Sequence, residues 1–70
     1  MDDISVRFAR HLKHLRKRHR ITQERLAELA EISEKHVQRL ESRQPCGVRL
    51  VTLDRIAKAF GISLSELLKF

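Results

Sequence analysis

The stretch QERLAELAEISEKHVQRLES, residues 23–42, decides the fold of this 70-residue chain. Its first part, residues 23–30, repeats leucine and alanine at the spacing of an amphipathic helix. Its second part opens with Ser33, a good N-cap, and places Val37 and Leu40 on one face. Because the break between the two patterns is so short, we expect two helices packed at a steep angle, with one face of the second exposed.

The residues before this stretch predict another helix. It covers residues 5–19, where Phe8, Leu12 and Leu15 fall on one stripe. Thr22 then has the side chain and the position of an N-cap for the helix that follows. The first helix should therefore pack its apolar stripe against the pair formed by residues 23–42.

The residues after this stretch predict a loop and two more helices. The loop covers residues 43–51 and holds the only proline of the chain. The fourth helix should start near Thr52 and stop at Gly61, and the fifth opens at Ser63 as a capping box completed by Glu66. The inward residues of the fourth helix are Leu53, Ile56, Ala57 and Phe60. The expected fold class is thus all-α, with five helices in a single domain over residues 1–70.

The charge of the chain favours a polyanionic partner. Fifteen Lys and Arg against nine Asp and Glu give a net charge of +6 and a pI near 10.5. Seven of these cations, and no acidic residue, lie between Ile4 and Gln23: Arg7, Arg10, Lys13, Arg16, Lys17, Arg18 and Arg20. Such a field attracts nucleic acid by counterion release. A basic but merely solvated surface is the alternative, and membrane binding is disfavoured because the apolar helix faces are needed for the core.

Several other classes of function are disfavoured by composition. No window approaches the roughly 18 apolar residues of a transmembrane span, and the N-terminus lacks the pattern of a signal peptide, so a cytoplasmic location is expected. Cys46 is the only cysteine and cannot form an intrachain disulfide. His11 and His14 are three apart, but no further ligand completes a metal site. We expect no metal, no cofactor, no small-molecule effector and no enzymatic activity, because no catalytic set can be assembled.

Three segments in order resemble the Cro and phage-repressor-like (XRE-type) helix-turn-helix family. They are LKHLRKRHRITQERLAELA, ISEKHVQRLES and LDRIAKAFGISLSELL, and the resemblance runs from about residue 8 to residue 68. It implies a compact five-helix, lambda-repressor-like DNA-binding domain, with the helix-turn-helix at the second and third helices. It also implies a symmetric dimer on palindromic operator DNA.

The resemblance assigns roles to polar residues on and near the third helix. Glu34, Lys35 and Arg39 match the base-reading positions, and their chemistry agrees, since Arg and Lys donate to guanine and Glu accepts from cytosine. The residues assigned to the DNA backbone are Gln23, Ser33, His36, Ser42, Arg43, Gln44 and Arg49. A solvated helix face and a basic loop without DNA contacts are the alternatives.

Two structural features also follow from the resemblance. It implies an ion pair between Arg16 in the first helix and Glu41 at the end of the third, which would fix the angle of the recognition helix. Glu31 occupies the turn position where the family usually has glycine. The turn is therefore either mildly strained by a left-handed backbone or differently shaped.

The fifth helix suggests self-association. Leu64, Leu68 and Phe70 cannot all face the core, so we expect them at a homodimer interface; a small core that uses all three is the alternative. The expected function is a sequence-specific, double-stranded-DNA-binding transcriptional regulator, a repressor or an autoregulator. An antitoxin-type protein-interaction module that also binds DNA is the alternative. RNA binding is disfavoured because two of the three aromatic residues, Phe8 and Phe60, are assigned to the core.

Overall fold

Residues 3–42 and 47–70 are described by the computed structural model, and they form five α-helices and no strand. The helices are α1 Ile4–Arg18, α2 Gln23–Ala30, α3 Glu34–Leu40, α4 Leu50–Phe60 and α5 Leu64–Leu67. The expected all-α, five-helix class is confirmed. The α2 helix packs against both α3 and α4, and α5 packs against α4.

Every helix contributes at least one fully buried aliphatic side chain to a common core. These side chains are Leu12, Leu26, Val37, Leu40, Ile56 and Leu67. Each fully buried Leu or Ile stabilises the fold by roughly 1.5–3 kcal/mol relative to exposure. The stripe expected on the first helix and the inward residues expected on the fourth are all buried in this core, as predicted.

Side-chain caps define the starts of four helices. Thr22, Ser33 and Ser63 each accept a hydrogen bond from the main-chain N–H three residues later, at 3.0, 3.0 and 3.1 Å. Asp3 caps α1 by accepting from the N–H two residues on, at 3.1 Å. The capping box predicted for α5 is complete, because Glu66 accepts in turn from the Ser63 N–H at 3.4 Å. These caps satisfy donors that have no partner inside a helix.

The fourth helix begins earlier than predicted. It starts at Leu50 instead of near Thr52, with Arg49 as an N-cap that makes no side-chain capping bond. The first helical bond runs from the Leu53 N–H to the Arg49 carbonyl at 3.0 Å. Thr52 is buried inside the first turn, so its propensity to cap a helix is overridden by packing.

The third helix ends at Leu40, two residues before the predicted end at Ser42. The Ser42 N–H and hydroxyl both donate to the Arg39 carbonyl, at 3.2 and 2.7 Å. A serine side chain that bonds the local main chain in this way competes with helix continuation. The bonds at Ser42 therefore close the recognition helix.

Three helices end in the same way, with one residue in the left-handed region followed by an isoleucine. The left-handed residues are Arg20, Glu31 and Gly61, with φ of 57°, 59° and 70°. The isoleucines are Ile21, Ile32 and Ile62; their N–H groups bond carbonyls five residues back at 3.2, 3.0 and 3.0 Å, and their side chains pack on the core. This is the Schellman motif with its hydrophobic contact. The left-handed backbone considered for Glu31 is present, and Arg20 shares it.

Candidate nucleic-acid interface

The α2–α3 unit buries one side of each helix and leaves the outer side of α3 exposed. Ala27 and Ala30 of α2 are buried where it meets the rest of the domain, and Val37 and Leu40 are the buried residues of α3. The small alanine side chains allow the two helices to approach closely. The unit thus holds α3 at the surface with its polar residues directed outward.

The three candidate base-reading residues are all exposed on α3. They are Glu34, Lys35 and Arg39. Lys35 and Arg39 also line a surface recess of about 310 Å³ together with Ser33 and His36. Both cations can donate to guanine O6 and N7, and the recess is open to an approaching base edge or phosphate.

A bidentate ion pair joins α1 to the end of α3. Arg16 Nε donates to Glu41 Oε2 at 2.8 Å, and Arg16 Nη2 donates to Glu41 Oε1 at 3.1 Å. The side chains of Arg16 and Glu41 are only 13% and 3% exposed. Arg16 Nη1 also donates to the Ile21 carbonyl at 3.0 Å, so the connector between α1 and α2 belongs to the same network. The pairing implied by the resemblance is present in the structure.

Three residues expected at the DNA backbone have their side chains engaged within the protein. The amide of Gln23 donates from Nε2 to Glu41 Oε1 at 3.1 Å. The hydroxyl proton of Ser42 is directed to the Arg39 carbonyl. Ser33 keeps its hydroxyl oxygen on the His36 N–H as the cap of α3. Sequence reasoning predicted the capping bond of Ser33 but not the bonds that occupy the side chains of Gln23 and Ser42.

Of the remaining backbone candidates, His36 lies on α3 and lines the recess with Lys35 and Arg39, whereas the others follow α3 in the sequence. Arg49 is exposed at the start of α4, with its guanidinium available to solvent or phosphate. Arg43 and Gln44 fall outside the described residues, as does Cys46. Between α1 and the end of α3, a cleft of about 280 Å³ is lined by Val6, Ala9, Arg10, Lys13, Glu41 and Ser42. Two cations of α1, Arg10 and Lys13, therefore adjoin the end of α3.

The three residues expected at a dimer interface do not have equivalent environments. Leu64 is half-buried and packs on the core, whereas Leu68 and Phe70 are exposed. The Phe70 ring stacks on His11 with centroids 5.1 Å apart and meets Phe8 at 6.0 Å. Leu64 thus agrees with the alternative in which it belongs to the core. The exposed apolar surface at this end includes Leu68 and Phe70 instead.

Three further apolar residues that sequence reasoning missed are also exposed. They are Ile4, Leu50 and Val51. Ile4 and Leu68 flank an apolar groove of about 330 Å³, whose floor includes Phe8, Leu40 and Leu53. The sequence pattern assigns Leu50 and Val51 to a loop, because two adjacent aliphatic residues do not by themselves indicate a helix. They lie in the first turn of α4, and both side chains are exposed there.

No helix among residues 3–42 and 47–70 is long and apolar enough to cross a membrane. Within the same residues, no group of three or more His, Cys, Asp or Glu side chains is arranged to hold a metal ion. A short helix pair with an exposed polar second helix, set in a basic domain, defines the helix-turn-helix class of DNA-binding regulators.

Comparisons with known proteins agree with this class. A family model described as the Cro/C1-type HTH DNA-binding domain matches residues 11–70, and the chain therefore belongs to this family. The crystal structure of the restriction-modification controller protein C.AhdI from Aeromonas hydrophila is similar, with a TM-score of 0.84 and 33% identity. The similarity covers 90% of this chain and 94% of that one. A comparison with curated proteins gave no match.

Proposed function

We propose that this protein is a sequence-specific transcriptional repressor or autoregulator that binds palindromic double-stranded DNA as a homodimer. The α3 helix would enter the major groove, with Lys35 and Arg39 donating to base edges and Glu34 accepting from cytosine N4. Arg49 and the start of α2 would contact phosphates and set the register without reading sequence. A cytoplasmic location follows from the proposed DNA partner.

The observation that carries this proposal is the outer face of α3. Five of its seven residues are not buried in the core, and they are polar or charged. This face is held by the Arg16–Glu41 pair and by the buried Val37 and Leu40. A rigid helix with a free polar face is what direct readout of base edges requires.

The likeness to a restriction-modification controller narrows the proposed biological role. C.AhdI is named as such a controller, and its similarity extends over nearly the full length of both chains. We therefore propose that this protein controls a restriction-modification operon, including its own gene. The exposed apolar groove flanked by Ile4 and Leu68 would supply the contact for the second copy, since such patches on small proteins mark interaction sites.

Selection of bound sites from random duplex DNA tests the proposal directly. We expect a recovered sequence with two-fold symmetry and half-sites separated by about one helical turn. Affinity should fall steeply with salt, in proportion to the number of phosphates neutralised. Recovery of no consensus, with equal binding to all duplexes, would contradict sequence-specific recognition. A consensus without two-fold symmetry would contradict only the dimeric operator.

A further inference from the structure

We infer that Gln23 is a positioning residue for the recognition helix, acting through Glu41 and not through a side-chain bond to phosphate. This inference deepens the proposed function and rests on it. It departs from the role that the resemblance gives Gln23, which is a contact to the DNA backbone. It is supported by one carboxylate oxygen of Glu41, which accepts hydrogen bonds both from Gln23, the first residue of α2, and from Arg16 of α1.

The bond between Gln23 and Glu41 spans the whole helix-turn-helix. Gln23 is the first residue of α2, and Glu41 follows directly after the last residue of α3. Gln23 Nε2 and Arg16 Nη2 both donate to Glu41 Oε1, each at 3.1 Å. The two outer ends of the α2–α3 unit are therefore tied together, and both are tied to α1.

Burial makes this bond difficult to replace with water. The Glu41 side chain is almost completely enclosed, and an ionised carboxylate accepts several hydrogen bonds at once. Three donors reach it from two side chains. Loss of the Gln23 donor would leave Glu41 Oε1 with the Arg16 bond alone, so a buried charge would lose one of its three hydrogen bonds.

The side-chain amide and the main-chain N–H of Gln23 can bind different partners. The first N–H groups of a helix have no acceptor within that helix, and they attract phosphate. Thr22 occupies the N–H of Arg25. The main-chain N–H of Gln23 can therefore contact phosphate while its side-chain amide holds the end of α3. The distance between the phosphate contact and the base-reading residues is then fixed by one hydrogen-bond network.

The test compares wild type with Q23A, Q23E, E41Q and the exchange variant Q23E/E41Q. Q23E sets two carboxylates against each other, whereas the exchange variant restores one amide and one carboxylate with the wild-type net charge. Each protein is measured well below its melting temperature, on the operator obtained by selection and on random duplex DNA. The readouts are the ratio of the two affinities and the melting temperature without DNA.

If Gln23 positions α3, Q23A should lower operator affinity by roughly tenfold and leave affinity for random DNA nearly unchanged. Q23E should lower both the affinity ratio and the melting temperature of wild type. In the E41Q background, which has already lost the Arg16–Glu41 ion pair, the same substitution should raise both, because the new carboxylate faces an amide and the Arg16 guanidinium. A carboxylate at residue 23 repels DNA and therefore weakens binding to both duplexes. This effect cancels in the ratio of the two affinities.

Equal losses of Q23A on operator and random DNA would overturn the inference and support a direct phosphate contact. A Q23E substitution that lowers specificity and stability as much in the E41Q background as in wild type would also overturn it. Failure of the proposed function gives a different result, in which wild type itself shows no preference between the duplexes. The melting temperatures of the five proteins test the hydrogen-bond network even in that case.

Discussion

Arg16 and Lys17 are adjacent cations in α1 with different surroundings. Arg16 is largely buried and bonded to Glu41, whereas Lys17 is exposed. Arg16→Ala leaves the Glu41 carboxylate buried without its partner and should lower the free energy of unfolding by roughly 3 kcal/mol. Lys17→Ala should change it by less than about 0.5 kcal/mol.

Thermal unfolding of the two variants measures this difference. For a domain of this size, we expect Arg16→Ala to lower the melting temperature by roughly 10 °C or more, because each kcal/mol corresponds to several degrees. Lys17→Ala is the matched control, since it removes the same unit of charge from the same helix. Similar and small shifts in both variants would show that the ion pair contributes little.

Arg39 and Arg49 are both exposed, but only Arg39 lies on α3. Arg39→Ala should reduce the preference for one base pair of each half-site by roughly 1–3 kcal/mol. Arg49→Ala should weaken binding to all sequences similarly and lower the slope of log affinity against log salt by about 1 for each phosphate that the arginine neutralises. Repeating the site selection with each variant separates the two roles. An unchanged consensus with Arg39→Ala would contradict its assignment to base reading.

Helix ends offer a prediction about backbone strain. Glu31 and Gly61 adopt nearly the same left-handed conformation, but only Gly61 lacks a side chain that disfavours it. A Cβ added at Gly61 would meet no neighbouring atom within 4 Å, so any cost of Gly61→Ala comes from the backbone. Glu31→Gly should raise the free energy of unfolding by up to about 1 kcal/mol, and Gly61→Ala should lower it by a similar amount.

Urea unfolding at physiological salt measures both changes. Salt at this level limits the effect of removing the negative charge of Glu31. Glu31→Gln is the control for that charge, because it retains a side chain in the left-handed conformation. Stabilisation by Glu31→Gln equal to that of Glu31→Gly would attribute the effect to charge instead of backbone strain.

The helices could be predicted from sequence where local signals and packing agree. Ser33 and Ser63 are N-caps in both the pattern and the structure, and Gly61 ends α4 as expected. The start of α4 could not be predicted, because Thr52 has the properties of a cap but is buried in the first turn. The left-handed backbone of Arg20 was also missed, since nothing in a long-chain cation indicates a positive φ.

Apart from the Arg16–Glu41 pair, which the family resemblance implied, the candidate site was predictable as a set of positions but not as a set of contacts. Glu34, Lys35 and Arg39 are exposed on α3 as the helical periodicity requires. The bond from Gln23 to Glu41 joins residues far apart in sequence, and only the packing of α2 and α3 brings them together. Roles that depend on such long-range neighbours need the structure.

At the scale of the whole molecule, the apolar groove predicts how two copies associate. Leu68 borders the groove, whereas Leu29 lies on α2 with nearly the same exposure, 41% against 42% for Leu68. Leu68→Glu should convert a dimer to a folded monomer, because a buried charge at the interface would have no partner. Leu29→Glu should leave the dimer unchanged.

Sedimentation equilibrium of the two variants, with circular dichroism to verify folding, tests this prediction. A folded dimer of Leu68→Glu would exclude this surface as the interface. A monomeric wild type at every concentration would exclude self-association in the absence of DNA. Operator affinity of Leu68→Glu should fall as well, since a palindromic site rewards two linked half-site contacts.

Residues of α3 that pack in the core are distinct from those at its surface, and this affects how the sequence of the domain can diverge. Val37 and Leu40 hold the helix in the core, and its other five residues contribute no buried side chain. Substitutions at those five positions therefore change the surface presented to DNA with little effect on folding, since exposed positions tolerate most residues. New operator preferences can arise by a few mutations without passing through unfolded intermediates. A DNA-binding domain of this family can in this way change its sequence preference while keeping one scaffold.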